Sequence, residues 1–281
     1  MRCLHLAACL LLCASLAACK SEESVVVLAT TTSVEDSGLL DALLPSFSEE
    51  TGVRVQAVAV GSGAALRMGR EGNADLLLTH APSGEQELVE GGQVADRVPF
   101  MDNYFVIAGP RDDPAGVGAA ASVADALRRV RETGAPWVSR GDDSGTHRKE
   151  RALWRAAGLE AEVAGDSFTS TGSGMGLSLQ VAGERRAYLL SDLGSFLAFR
   201  ARTGLVALSR PEPDLRNVYS LMRVNPDRFP GRIHAEPARR LQAFFLRPDV
   251  QEQIREFGVE SFGMPLFRPL HAEPPGEAAR D

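Results

Sequence analysis

The stretch Arg140-Gly141-Asp142-Asp143-Ser144-Gly145-Thr146-His147 gathers one guanidinium, two hydroxyls and two glycines within eight residues. It follows the apolar run Ala135-Pro136-Trp137-Val138-Ser139 and leads into a helical pattern. A strand that ends in such a turn and feeds a helix aims unpaired backbone N–H groups and the positive end of the helix dipole at one point. The chemistry this permits is anion capture. Arg140 adds a fixed charge with a planar donor fork, and Ser144 and Thr146 add donors that carry no charge. Asp143 reads as a helix cap, because a carboxylate facing a dianion would repel it. A surface ion pair of Arg140 with Asp142, Asp143 or Glu150 is the plainer alternative and is worth little. A place at a strand end favours the functional role.

Ser144 and His147 invite a nucleophile and base reading. At i and i+3 the side chains can meet, yet no third group is evident to orient the imidazole, and hydrolase triads draw on distant segments. The other histidines of the body, His80, His234 and His271, lack metal-ligand spacing, and no metal or cofactor is expected. Trp137 and Trp154 read as core.

Two further hydroxyl and glycine turns stand at strand-to-helix junctions, Thr30-Thr31-Thr32-Ser33 and Gly61-Ser62-Gly63. Strand ends of a parallel α/β layer converge on one crevice, so three such turns predict a shared ligand. Ser170 to Gly174 forms a fourth. The elements that must position them follow from periodicity. Val25 to Ala29, Val53 to Val60, Asp75 to Thr79 and Tyr104 to Ala108 read as strands. Apolar positions Leu39, Leu40, Leu43, Leu44 and Phe47, and then Ala65, Leu66 and Met68, mark the helices between them. Further strands are expected at 187–190, 205–208 and 217–224, with two helices after Pro237. Turn-rich crossings near 109–114 and 209–216 suggest an insert. Residues 25–108 and 217–281 would form a discontinuous first lobe, and 109–216 the second.

The chain of 281 residues, 44% hydrophobic, is long enough for two medium domains. A formal charge of -7 argues against a nucleic-acid partner, which needs a basic surface. Any anion site is therefore local. Residues 1–18 begin with Arg2 and continue through an apolar run from Leu4 to Leu16, the pattern of an export signal rather than a membrane span. The ending Leu16-Ala17-Ala18-Cys19 resembles a bacterial lipobox, which would leave Cys19 as a lipid-modified first residue. Residues 19–24 then form a tether. All four cysteines lie in this segment, so the exported body has none for a disulfide.

Several motifs together resemble a known family. They are Thr30 to Ser33 with Asp36-Ser37-Gly38-Leu39-Leu40-Asp41, Val60 to Leu66, Ala74-Asp75 with His80, and Ser139 to His147. The chain is similar to the tungstate-binding lipoproteins that feed Tup-type ABC importers, and more loosely to other type II periplasmic binding proteins. The resemblance runs from Val25 to the last helix; Ser62 stands where relatives often carry threonine. It implies an α/β fold of two lobes, each a mostly parallel sheet flanked by helices, joined by a hinge and closing on a tetrahedral oxyanion. By motif match the first lobe would offer Thr31, Thr32, Ser33 and Ser62, and the second Arg140, Ser144 and Thr146. Which hydroxyl of the Thr run points inward stays open. The function implied is a non-enzymatic, monomeric receptor on the periplasmic or cell-surface side, held to the membrane through Cys19. It would deliver tungstate or molybdate to an inner-membrane ABC permease. The alternatives are a phosphate or sulfate receptor of the same fold and an exported serine hydrolase.

Overall fold

A computed structural model describes residues 24–159 and 167–271. The export segment, Cys19 and the tail from Pro274 lie outside those residues. The described chain opens with β1 (Val25–Thr31), α1 (Thr32–Asp36), α2 (Leu39–Thr51), β2 (Arg54–Val60), α3 (Ser62–Glu71), β3 (Leu76–Thr79), α4 (Pro82–Glu90) and β4 (Val98–Gly109). Then come α5 (Val123–Thr133), β5 (Trp137–Ser139), α6 (Gly145–Ala156), β6 (Phe168–Ser170), α7 (Met175–Arg185), β7 (Leu189–Asp192), α8 (Leu193–Thr203) and β8 (Val206–Ala207). The chain returns through β9 (Arg216–Arg223), α9 (Ala235–Phe245), α10 (Pro248–Glu256), α11 (Val259–Phe262) and β10 (Arg268–Pro269).

The larger sheet runs β10-β4-β9-β3-β1-β2. Strands β2, β1 and β3 are parallel, joined by helical crossovers, while β9 enters antiparallel to both β3 and β4. Val26, Leu28, Ala29 and the whole of β3 are buried, which is why these runs are apolar on both faces. One face of this sheet packs on Leu39, Leu43 and Phe47 of α2 and Leu241 and Phe245 of α9. The other packs Leu77 and Met222 on Leu66 and Leu88.

Strand β4 serves two sheets. Val98 to Tyr104 pair with β9, and Phe105 to Ala108 pair with β7. The chain thus passes between the sheets inside a strand, whereas the sequence suggested a passage in the turns from Gly109 to Pro114. Turn residues do mark that segment, but they follow the passage. Beyond it lies a separate core around Ile107, Leu127, Val130 and Leu215, with Trp137 set edge-to-face on Trp154 at 5.1 Å. Both tryptophans are buried, as their core reading expects. Strands β5 and β6 pair in parallel and set the turn that starts at Arg140.

Candidate functional site

Three chain reversals meet in one small cavity. Thr31, Thr32 and Ser33 come from the end of β1 and the start of α1, and Gly61 and Ser62 from the start of α3. Arg140, Ser144, Gly145 and Thr146 come from the β5–α6 turn and face them. The seven residues that the motifs single out all line this space, together with His80. Its volume is about 10 Å³, far below the roughly 300–1,000 Å³ of an organic-ligand pocket. A wider cavity of about 390 Å³ adjoins it, lined by Asp36, Asp142 and Leu177 among others.

Each donor is placed by its element. The Thr30 hydroxyl donates to the Leu78 carbonyl oxygen at 3.1 Å and so belongs to the sheet, which leaves Thr31, Thr32 and Ser33 at the cavity. Thr31 Oγ1 and Ser33 Oγ lie 3.2 Å apart. Ser62 opens α3 and Thr146 lies in the first turn of α6, both nearly inaccessible. The first N–H groups of these two helices have no partner within their own helix and carry partial positive charge. Ser144 caps α6 by accepting from His147 N–H at 3.3 Å. The expected cap, Asp143, instead pairs with Arg148 at 2.6 Å. Asp143 sits at φ +55°, in the left-handed region.

Arg140 is the cationic side chain at the cavity, and it is 9% exposed. Its Nε and Nη2 donate to Asp142 Oδ2 at 3.1 and 2.5 Å. Asp142 Oδ1 accepts from Ser144 N–H. Burial by itself would raise the Asp142 carboxyl, but Ser144 and the Arg140 guanidinium outweigh it and hold the group below its usual range. Asp36, at the outer cavity, is shifted the other way by burial and by the nearby Asp192 carboxylate.

The Arg140 turn is braced from behind. Thr171 N–H donates to Ser139 O at 3.0 Å and Ser173 N–H to Arg140 O at 3.2 Å. Gly141 adopts φ +64°, and a Cβ there would stand 1.7 Å from Ser170 Oγ. The fourth turn therefore supports the site. Gly145 is where the two walls touch: a Cβ would lie 2.8 Å from Ser62 Oγ and 3.3 Å from His80 Cε1.

His80 lay outside the expected set, although it follows β3 directly and strand ends point into this crevice. Asn217 Nδ2 donates to Asn103 Oδ1 and to the Tyr219 hydroxyl, each at 2.9 Å, so Asn217 Oδ1 faces His80 Nδ1 at 2.9 Å. His80 Nε2 stands 3.4 Å from Ser33 Oγ. Burial pushes the imidazole below its ordinary range, against the opposing pull of Asp192, Asn217 and Glu85. The nucleophile and base reading of Ser144 and His147 finds no such support, because His147 Nδ1 accepts from Asp143 N–H at 3.0 Å.

The PBP superfamily domain matches residues 18–247. The tungstate-binding protein TupA of Peptoclostridium acidaminophilum is 42% identical over 250 residues, covering 88% of this chain and 86% of that relative. The tungstate-binding protein TupA from Desulfovibrio alaskensis G20 superposes with a TM-score of 0.78 at 38% identity, covering 89% of this chain and all of that one. The tungstate ABC transporter structure from Geobacter sulfurreducens gives a TM-score of 0.74 at 41% identity, over 82% of this chain and 97% of that chain. With an α/β fold of two lobes and similarity of this extent, the chain belongs to the TupA tungstate-binding protein family of the PBP superfamily.

Proposed function

We propose that this protein captures tungstate, or molybdate, between its lobes and delivers it to the membrane permease of an ABC importer. The observation that carries the reading is the composition of the inner cavity. Hydroxyls, two helix N-termini and one guanidinium converge there, and among the described residues no carboxylate lines it. Tungstate and molybdate are deprotonated dianions near neutral pH and ask for donors alone. Hydrogenphosphate brings a proton and gains from a free carboxylate acceptor. The nearest candidate, Asp142, has both oxygens engaged, by Arg140 and by Ser144 N–H. The names of the relatives point the same way.

In this reading Thr31, Thr32, Ser33 and Ser62 bind from the first lobe and Arg140, Ser144 and Thr146 from the second. The lobes divide near Tyr104–Phe105 in β4, where strand pairing passes from β9 to β7, and near Leu215–Arg216, where β9 begins. These two crossings form the hinge, and the ion closes it. The protein works as an exported, monomeric, non-enzymatic receptor, tethered through a lipid on Cys19.

Thermal unfolding with sulfate, phosphate, molybdate and tungstate tests the reading. A ligand at a hundredfold its Kd stabilises the fold by about 2.7 kcal/mol. Tungstate and molybdate are expected to raise Tm well above the values with phosphate or sulfate. Equal Tm with and without both heavy oxyanions would overturn the reading.

A further inference from the structure

The cavity holds one group whose donor capacity depends on its protonation. In the chain Asn103–Asn217–His80–Ser33, the Asn217 amide nitrogen is committed to Asn103 Oδ1 and the Tyr219 hydroxyl. Its oxygen therefore accepts, and the network assigns a proton to His80 Nδ1. In the neutral ring Nε2 is then an acceptor. That atom lies at the cavity, 3.4 Å from Ser33 Oγ and 3.7 Å from the point where a Gly145 Cβ would stand. An acceptor lone pair beside an ion that has no proton to give is repulsive.

Charge balance leads to the same place independently. Arg140 is already neutralised by Asp142 at 2.5 Å, so the inner cavity offers a dianion almost no net positive charge. A buried, uncompensated ion is costly. Among the cavity-lining side chains His80 is the one base that can change this. The groups around it are Asp192 of β7, Glu85 of α4 and Arg140 beyond β5, with neutral neighbours Ser33, Ser62, Asn217, Tyr219 and Phe105. Glu85 is bound by Arg97, Thr79 and Ala81 N–H. Asp192 caps α8 by accepting from Ser195 N–H at 2.9 Å. Both carboxylates favour a cation at position 80, while burial opposes it.

We propose that His80 is an anion-binding residue that takes up one proton from solvent as the oxyanion enters, turning Nε2 into a donor to the ion. This inference rests on the reading of the cavity as an oxyanion site. Binding is then proton-linked.

Calorimetric titration of the mature chain with sodium tungstate, in buffers of different ionisation enthalpy at pH 7.5, reads the proton count. The expected result is an uptake close to one proton per ion, and a Kd that weakens by about tenfold for each pH unit from roughly 7 to 8.5. In His80→Gln the affinity is expected to be flat with pH and the uptake lost. A second measurement needs no variant. In ring-¹⁵N-labelled protein, tungstate should convert the His80 Nε2 resonance from pyridine-like to pyrrole-like, a change that a merely structural histidine would not show. Tungstate binding with no proton uptake, a flat pH profile and an unchanged Nε2 would overturn the inference and leave the functional reading intact. No binding heat at any pH would overturn both.

Discussion

The two walls of the cavity solve the same problem differently. The first wall is neutral: its hydroxyls stand at the ends of parallel strands, and its backbone needs no unusual geometry, with Gly61 at φ -63°. The second wall carries the charge and pays in strain: Gly141 and Asp143 both sit in the left-handed region, the turn is pinned by Thr171 and Ser173, and Arg140 is held by Asp142. A rigid neutral cradle faces a tensioned charged arm. The difference teaches where affinity and where geometry reside. The guanidinium comes from the side that has to be positioned, and the strand-end hydroxyls, with His80, come from the side that is already fixed by the sheet.

Breaking the charged wall is expected to have the largest effect. Arg140→Ala should cost about 2–5 kcal/mol of tungstate affinity, since it removes a buried cation and leaves the Asp142 carboxylate unpaired at the cleft. Calorimetry reads the affinity, and circular dichroism should show the fold unchanged.

The second wall also rests on a buried carboxyl. Glu150 of α6 accepts from Trp137 Nε1–H at 3.0 Å, and burial pushes it up to about 7 despite that bond. Its folded pKa lies above its unfolded value, so the stability it contributes is full below about 4.5 and is lost as pH rises through about 7. The loss at high pH is up to about 3 kcal/mol. Glu150→Gln should remove that loss, raising Tm at pH 8.5 relative to the parent protein while changing little at pH 5. An unchanged difference between the two pH values would remove Glu150 from the account.

A pair of glycine substitutions sharpens the comparison further. Gly141→Ala forces a Cβ into Ser170 at a strained φ and is expected to destabilise by about 1–3 kcal/mol. Gly61→Ala meets nothing within 4 Å and is expected to stay within about 0.5 kcal/mol. Denaturant unfolding of the ligand-free variants measures both. Equal costs would mean that the walls do not differ in strain. The smallest effect on binding belongs to the neutral wall. Ser62→Ala should weaken tungstate binding by about 1 kcal/mol, the net value of one uncharged hydrogen bond.

The sequence carried more of the second wall than its strain would suggest. Arg140, Ser144 and Thr146 were legible because a strand, a glycine-rich turn and a helix start are written locally, and the three strand-end turns declared a common crevice. The Thr run was legible as a group. Its inward members emerge only with β3 in place, because the Leu78 carbonyl draws the Thr30 hydroxyl into the sheet. His80 was readable as the residue after a buried strand, but its role depends on Asn217, which is 137 positions away. The dual pairing of β4 was hidden for the same reason: Tyr104 and Phe105 are adjacent in sequence, and only their partners, Arg216 and Asp192, assign them to different sheets. Short strands such as β6 and β10 have no periodicity to betray them.

The central claim, that one ion sits between the walls, is tested most directly by anomalous X-ray scattering from crystals grown with tungstate. The account predicts a single tungsten peak within hydrogen-bonding reach of Thr31 to Ser33 and Ser62 on one side and of Arg140, Ser144 and Thr146 on the other. A peak confined to the outer cavity or the surface, or none at saturating tungstate, would contradict it.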